Sequence, residues 1–245
     1  MNTVSTTSDS SVEQTRKKVW VMFDRIAHRY DLLNRLLSFR QDVRWRNKLA
    51  EYLPQGEELV VLDVATGTAD VLIALNKKSP NIKKAVGIDM AEKMLEVGRK
   101  KLEKLNLAQK IQLQNGDATD IKFEDNSFDA TTISFGIRNV NNLDQALKNM
   151  HRVLKKKGRA IILEFSLPDN FILKKLYLFY FRNILPAIGS LISGDSYAYN
   201  YLNQSVETFP YGNEFCEIMQ KNGFSNVKYF PLTFGIATIY QGEKS

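Results

Sequence analysis

Three aspartates and one turn of small residues carry the clearest chemical signal in the sequence. Asp63 stands near the end of the apolar run 59–64, Asp89 ends the run 84–89, and Asp117 follows the run 111–115. The turn Ala65-Thr66-Gly67-Thr68-Ala69-Asp70 comes directly after the first run. The first run, Leu59 to Val64, is short and apolar, as expected of a buried parallel strand, and the other two read as the strands that follow it. Open α/β sheets bind ligands at the carboxyl ends of such strands, and small residues let the backbone approach a ligand closely. An acid in the place of Asp89 accepts hydrogen bonds from both hydroxyls of a ribose. A carboxylate at Asp117 can accept one from an adenine amino group. Any one of these acids reads equally well as a helix cap or turn residue. Three of them, each closing a successive strand, argue for a site. The dinucleotide fingerprint and the lysine-containing phosphate loop are both absent; a site for an adenosyl group without phosphates needs neither.

The elements that must position these residues follow from periodicity. Residues 12–53 look helical: Val19, Phe23, Ile26 and Tyr30 fall at helical spacing, and a second helix runs from about Asp42 to Leu53. Pro54 and Gly56 break the chain. Strands are then expected at 59–64, 84–89, 111–115, 129–134 and 159–165. Helices are expected through Leu75, from Ala91 to Leu105 and from Asn142 to Leu154. This repetition predicts an α/β fold with a parallel sheet and helices on both faces. Residues 171–194 interrupt the rhythm with an aromatic-rich, apolar stretch. A helix over 213–221 and two successive strands, 226–232 and 235–242, close the chain as an antiparallel hairpin at the sheet edge.

Composition narrows the classes. Hydrophobic residues make up 44% of the 245 positions, enough for one sizeable core. One cysteine and two histidines leave no metal site to be expected, and a reducing cytoplasm fits. The net charge of +7 suits nucleic acid, an anionic membrane surface or simple solubility. Residues 1–14 read as a disordered tail without the apolar core of a signal peptide. Residues 15–245 read as a single domain, with 15–55 a helical cover and 171–202 an insertion.

Further segments carry a more specific resemblance: Tyr30 to Ser38 with Trp45-Arg46, Phe128-Asp129, Ser134-Phe135-Gly136-Ile137-Arg138-Asn139-Val140, Arg152-Val153-Leu154-Lys155, Leu163-Glu164-Phe165-Ser166, and Leu232 to Ala237. On these, from about Val19 to Lys244, the chain resembles the ubiquinone/menaquinone biosynthesis C-methyltransferases. It departs from their pattern at Leu33, Arg40, Asp42, Ala69 and Lys156-Lys157, none of which removes an obvious chemical group. The resemblance implies a class I methyltransferase (Rossmann-like) fold: a mostly parallel seven-stranded sheet whose last-formed edge strand is antiparallel, an N-terminal helical cover and a helical lid insertion. It implies S-adenosyl-L-methionine as cofactor, held by Thr68, Asp89, Asp117, Ala118 and Ser134 beside Gly67. It implies carbon methylation of a prenylated quinol, with demethylmenaquinol favoured and the benzoquinol of the ubiquinone route as the alternative. RNA methylation and a non-catalytic lipid-binding protein are remoter readings.

A quinol needs little covalent help. Loss of a hydroxyl proton makes the adjacent ring carbon nucleophilic, and the protein must align the reactants and stabilise the phenolate. Arg138 is the candidate for that task, with pairing to a structural acid as its plainer reading. Asn139 could hold the second ring oxygen. His28 has the right proton affinity for a base, but an exposed helix position explains it as well, and His151 reads as structural. The absence of a proline-proline pair after Ser134 argues against a nucleic-acid amino group as acceptor and leaves RNA carbon and ribose methylation open; no nucleic acid partner is expected. The stretch 171–193 reads either as a buried helix pair or as a lid and prenyl channel lying on a membrane surface. Tyr197, Tyr199, Asn200 and Tyr201 could line the ring pocket. A cytoplasmic protein peripheral to the membrane is expected, and self-association into a homo-oligomer stays open.

Overall fold

The computed structural model describes residues 21, 24–25, 27–186 and 196–245. The expected tail, Val19, Phe23, Ile26 and residues 187–195 lie outside these, as do the side chains of Tyr197, Tyr199 and Asn200. The strands are β1 (Leu59–Val64), β2 (Ile82–Asp89), β3 (Ile111–Asn115), β4 (Phe128–Ser134), β5 (Leu154–Phe165), β6 (Ser225–Leu232) and β7 (Ala237–Glu243). The helices are α1 (27–37), α2 (Gln41–Lys48), α3 (Asp70–Lys78), α4 (Glu92–Lys104), α5 (Leu143–Val153), α6 (Phe171–Phe179), α7 (Ser196–Thr208) and α8 (Asn213–Lys221).

The seven strands form one sheet in the order β3-β2-β1-β4-β5-β7-β6. The first five pair in parallel, and β7 runs antiparallel to both β5 and β6. The antiparallel strand is therefore internal, not the edge strand expected from the resemblance; β6 takes the edge. Burial explains the exchange. Ala237, Thr238, Ile239 and Tyr240 of β7 are all buried, whereas β6 exposes much of its length. An apolar strand gains more from two neighbours than a polar one does.

Side chains of the central strands alternate between two cores. Leu62, Val64, Ile133 and Ile162 pack with α5 and α8 on one face. Leu59, Val61, Ala130, Ile161 and Leu163 pack with Trp45 and α3 on the other. The α5 residues Ala146, Leu147, Met150 and Val153 fall on one stripe and are all fully buried. Asn142 caps this helix by accepting from the Gln145 amide at 3.0 Å. His151 packs edge-on against Phe224, a structural setting in which burial lowers its proton affinity.

Several element boundaries differ from expectation. The second cover helix is α only to Lys48, and a 3-10 turn, Leu49–Tyr52, completes it. β5 starts at Leu154 rather than Arg159. The lysines expected as a solvated turn form its irregular first part, where Lys155 pairs with Asp129 at 2.9 Å. The insertion begins as α6 and widens into a π-helical turn, Tyr180–Ile184.

Candidate active site

The strand order changes direction at β1, whose neighbours are β2 on one side and β4 on the other. The loops after β1 and β4 therefore diverge around a cleft. The two loops nearly touch at its base, where a Cβ on Gly136 would fall 2.6 Å from that of Ala65. Gly67, Asp89, Asp117, Ala118, Ser134 and Asn139 all line this cleft. Gly67 holds a left-handed backbone, φ 54°, and its amide donates to Asp89 Oδ2 at 2.8 Å. Asp89 Oδ1 accepts from the Ala91 amide at 2.9 Å. Burial raises the Asp89 carboxyl above its ordinary range, with the Ala91 and Gly67 amides pulling it back. Asp117 accepts from the Thr119 amide at 2.9 Å.

These residues fit an adenosyl ligand. The cleft is lined by two carboxylates, by Gly67, and by the Ser134 hydroxyl, which is buried with no partner among the described residues. Buried polar atoms without partners are rare in native structures, and Ser134 is among the residues that line the cleft.

Thr68 departs from its expected place. It is absent from the cleft wall, and its Oγ1 donates to Asp31 Oδ1 at 2.6 Å while accepting from Lys101 at 3.1 Å. It belongs to a network of charges that fastens the cover to the sheet. Lys101 also pairs with Asp31 at 2.8 Å and with Asp70, and Arg35 pairs with Asp70 at 3.1 Å. Arg46 bonds Asp42 and lies 3.7 Å from Asp70. Burial works against the Arg46 cation, but Asp70 and Asp42 outweigh it and hold its proton more firmly than water would.

A second cavity, of about 500 Å³, adjoins the cleft. Tyr30 and Phe135 line both. Leu33, Leu37, Leu173, Leu176 and Phe181 supply much of its apolar wall. Trp45, Phe135 and Phe165 form an aromatic cluster, with Phe135 and Phe165 only 4.5 Å apart. The guanidinium of Arg46 lies 5.7 Å from the Phe135 centroid, and that of Arg138 5.4 Å from Phe165.

Arg138 lines this second cavity and has a structural acid as well. Its Nη1 donates to Glu164 Oε1 at 2.7 Å and to the Phe135 carbonyl at 2.6 Å, and its Nε to Ser205 at 3.4 Å. Its Nη2 has no partner among the described residues. Glu164 is fully buried and also accepts from the Phe165 amide at 2.8 Å. Burial pushes its carboxyl up, and Arg138 opposes the shift.

Asn139 lines the cofactor cleft, and its Oδ1 accepts from Tyr201, itself on the wall of the apolar cavity, at 3.1 Å. His28 is exposed on α1 and lines neither cavity. The sequence reading gave no role to Glu164. Its signal was an acid at the end of the apolar run 160–163, since a carboxylate buried in a strand requires a partner.

The sheet order and the cleft define the class I methyltransferase fold. A S-adenosylmethionine-dependent methyltransferase from Thermotoga maritima shares it with a TM-score of 0.65 at 20% identity, over 92% of this chain and 99% of that one. So does the cyclase SpnF, at TM-score 0.67 and 13% identity, over 92% and 94%. A fold shared with a cyclase does not by itself specify methyl transfer. The sequence is more specific: residues 10–244 match the model of the ubiE/COQ5 methyltransferase family, and the chain belongs to that family. It is 49% identical, over 93% of its length and 97% of the relative's, to the ubiquinone/menaquinone biosynthesis C-methyltransferase UbiE of Geotalea uraniireducens (strain Rf4). It is 41% identical to the demethylmenaquinone methyltransferase of Bacteroides fragilis (strain YCH46), over 93% of each chain.

Proposed function

We propose that this chain transfers a methyl group from S-adenosyl-L-methionine to a ring carbon of a prenylated quinol, and that the quinol is demethylmenaquinol. The observation that carries the reading is the pair of adjoining cavities. One is a cleft with two carboxylates and an unpartnered serine hydroxyl; the other is apolar and aromatic, with Arg138 in its wall. Relatives named for demethylmenaquinone support the choice of quinol.

Asp89 would hold the ribose, with Asp117, Ala118 and Ser134 around the rest of the adenosyl group. The cofactor, when bound, supplies an electrophilic methyl on a sulfonium. Arg138 is anchored through Nη1, and Nη2 remains to receive a ring oxygen. As that oxygen loses its proton, the guanidinium stabilises the developing negative charge. The ring carbon would take the methyl that the cofactor supplies, lose its own displaced proton to water, and the ring oxygen would regain a proton from water, so that one proton is released in all. Glu164 fixes the arginine and neutralises it when no phenolate is present.

No helix among the described residues is long and apolar enough to cross a membrane. Of the two readings of the insertion, the buried helix pair does not hold for α6, which has no buried residue and exposes 68% of Phe171 and 61% of Leu176. Phe39 and Phe234, on the wall of the same cavity, are 76% and 79% exposed. This supports an insertion that rests on a lipid surface and admits the prenyl tail, with Lys174 and Lys175 toward anionic headgroups.

Turnover tests the reading. Purified protein with labelled cofactor and reduced demethylmenaquinol should yield labelled menaquinol. Methylation of the ubiquinone-route benzoquinol alone would reassign the acceptor, and labelling of neither would overturn the reading. Lys174→Glu/Lys175→Glu should weaken co-sedimentation with anionic vesicles. Absence of binding by the unmodified protein would remove the membrane role.

A further inference from the structure

Two tyrosines on the insertion have opposite fates. Tyr180 donates its hydroxyl to the Leu37 carbonyl at 2.8 Å and so ties the insertion to α1. Tyr177, three residues earlier and also on the wall of the apolar cavity, has a hydroxyl that is buried and bonds nothing among the described residues. Its ring is held in place, stacked on Phe181 at 5.1 Å and 25°. The exposure of α6 makes this burial more telling, because a phenol on such a helix could have turned to water. A buried hydroxyl without a partner destabilises the protein by an amount that removing it would recover.

The surroundings specify what the hydroxyl awaits. Burial raises the proton affinity of Tyr177 well above that of an ordinary phenol, with the nearby Arg138 opposing, so at neutral pH it remains a donor. Arg138 Nη2, on the same cavity wall, is a second donor without a partner among the described residues. Two unpartnered donors call for an oxygen acceptor, and the aromatic wall beside them calls for that oxygen to sit on a flat ring.

We infer that Tyr177 is an acceptor-binding residue, its hydroxyl pairing with Arg138 Nη2 to receive one ring oxygen of the substrate. The inference rests on the quinol reading above. It adds that the insertion supplies a hydrogen bond at the reacting ring as well as a wall for the tail, so the ring is fully held only with α6 in place.

Tyr177→Phe tests this in the full chain, with S-adenosyl-L-methionine and a reduced short-tail demethylmenaquinol. The expected result is a fall in kcat/KM for the quinol of about 10-fold or more, as for loss of a donor to a developing oxyanion. The pH at which the rate rises should move up by about one unit, because the phenolate loses a stabilising donor. Cofactor affinity by calorimetry should not change, and the melting temperature should hold or rise. Unchanged kcat/KM and pH profile, with turnover by the unmodified protein, would overturn the inference and leave the quinol reading standing. A variant that failed to fold would also overturn it, by showing that the hydroxyl already has a protein partner. No turnover by the unmodified protein would overturn the quinol reading, and this inference with it.

Discussion

Removing the Glu164 carboxylate should expose how much the protein depends on its buried charge pair. Glu164 has no exposed surface, and the Arg138 side chain retains only 6%. In Glu164→Ala the guanidinium keeps the Phe135 carbonyl at 2.6 Å and the weak Ser205 contact at 3.4 Å, but no counter-charge. Breaking a buried pair by removing one partner destabilises a protein by about 3–5 kcal/mol, chiefly because the remaining charge is stranded. In a domain of this size each kcal/mol moves the melting temperature by about 2–4 °C. The expected drop is therefore about 6–20 °C. Arg138→Met/Glu164→Ala strands no charge and should recover at least half of the loss, although both single variants are destabilised. Thermal and urea unfolding of the three variants, followed by circular dichroism, measures this. A Glu164→Ala protein within about 1 kcal/mol of the original, or a double variant as unstable as the sum of the singles, would refute the reasoning.

Asp89→Ala should weaken S-adenosylmethionine binding by about 1–3 kcal/mol in calorimetry, the loss of a charge-assisted pair of hydrogen bonds; unchanged affinity would remove Asp89 from the site. Arg138→Lys keeps the charge but not the planar fork, so turnover should fall about 100-fold or more with cofactor affinity nearly constant. Near-normal turnover in that variant would assign the arginine to structure. Burial raises the Asp63 carboxyl to about 7, so the folded state binds its proton more readily than the unfolded chain does. Its contribution is then full below about pH 4 and is lost as pH rises through 7. Asp63→Asn should accordingly gain stability relative to the original protein across that window, by up to about 4 kcal/mol. A pH-independent difference in urea midpoints would show that Asp63 does not titrate there.

The sequence disclosed the parts of this molecule that depend on position along the chain. β1 matches its expected bounds because a central parallel strand is buried on both faces, which leaves a nearly continuous apolar run between polar turns; β3, an edge strand with only Ile111 buried, matches as well. Gly67, Asp89, Asp117, Ala118 and Ser134 meet in one cleft because each ends, or follows, one of four neighbouring strands. What depends on side-chain direction was less legible. Thr68 stands one residue beyond Gly67, yet its hydroxyl faces the charges of the cover instead of the cleft. Glu164 and Ser205, which Arg138 bonds, lie far along the sequence, and the Tyr177 hydroxyl has no partner among the described residues; local pattern carries no trace of either. The order of β6 and β7 also escaped, since a hairpin looks the same in sequence whichever strand meets the sheet.

That strand order has a bearing on assembly. Glu164 pairs in register with Thr238, so β7, the last strand in the sequence, is what closes over it. Until β7 slides between β5 and β6, β5 is an open edge and the carboxylate beneath Arg138 remains hydrated. The first five strands can be built in parallel as the chain lengthens, but the charged wall of the acceptor cavity dries only at the final step. A nascent chain could thus assemble its adenosyl cleft well before it possessed a pocket able to activate a ring, and one interrupted before β7 would be left with a raw sheet edge prone to association.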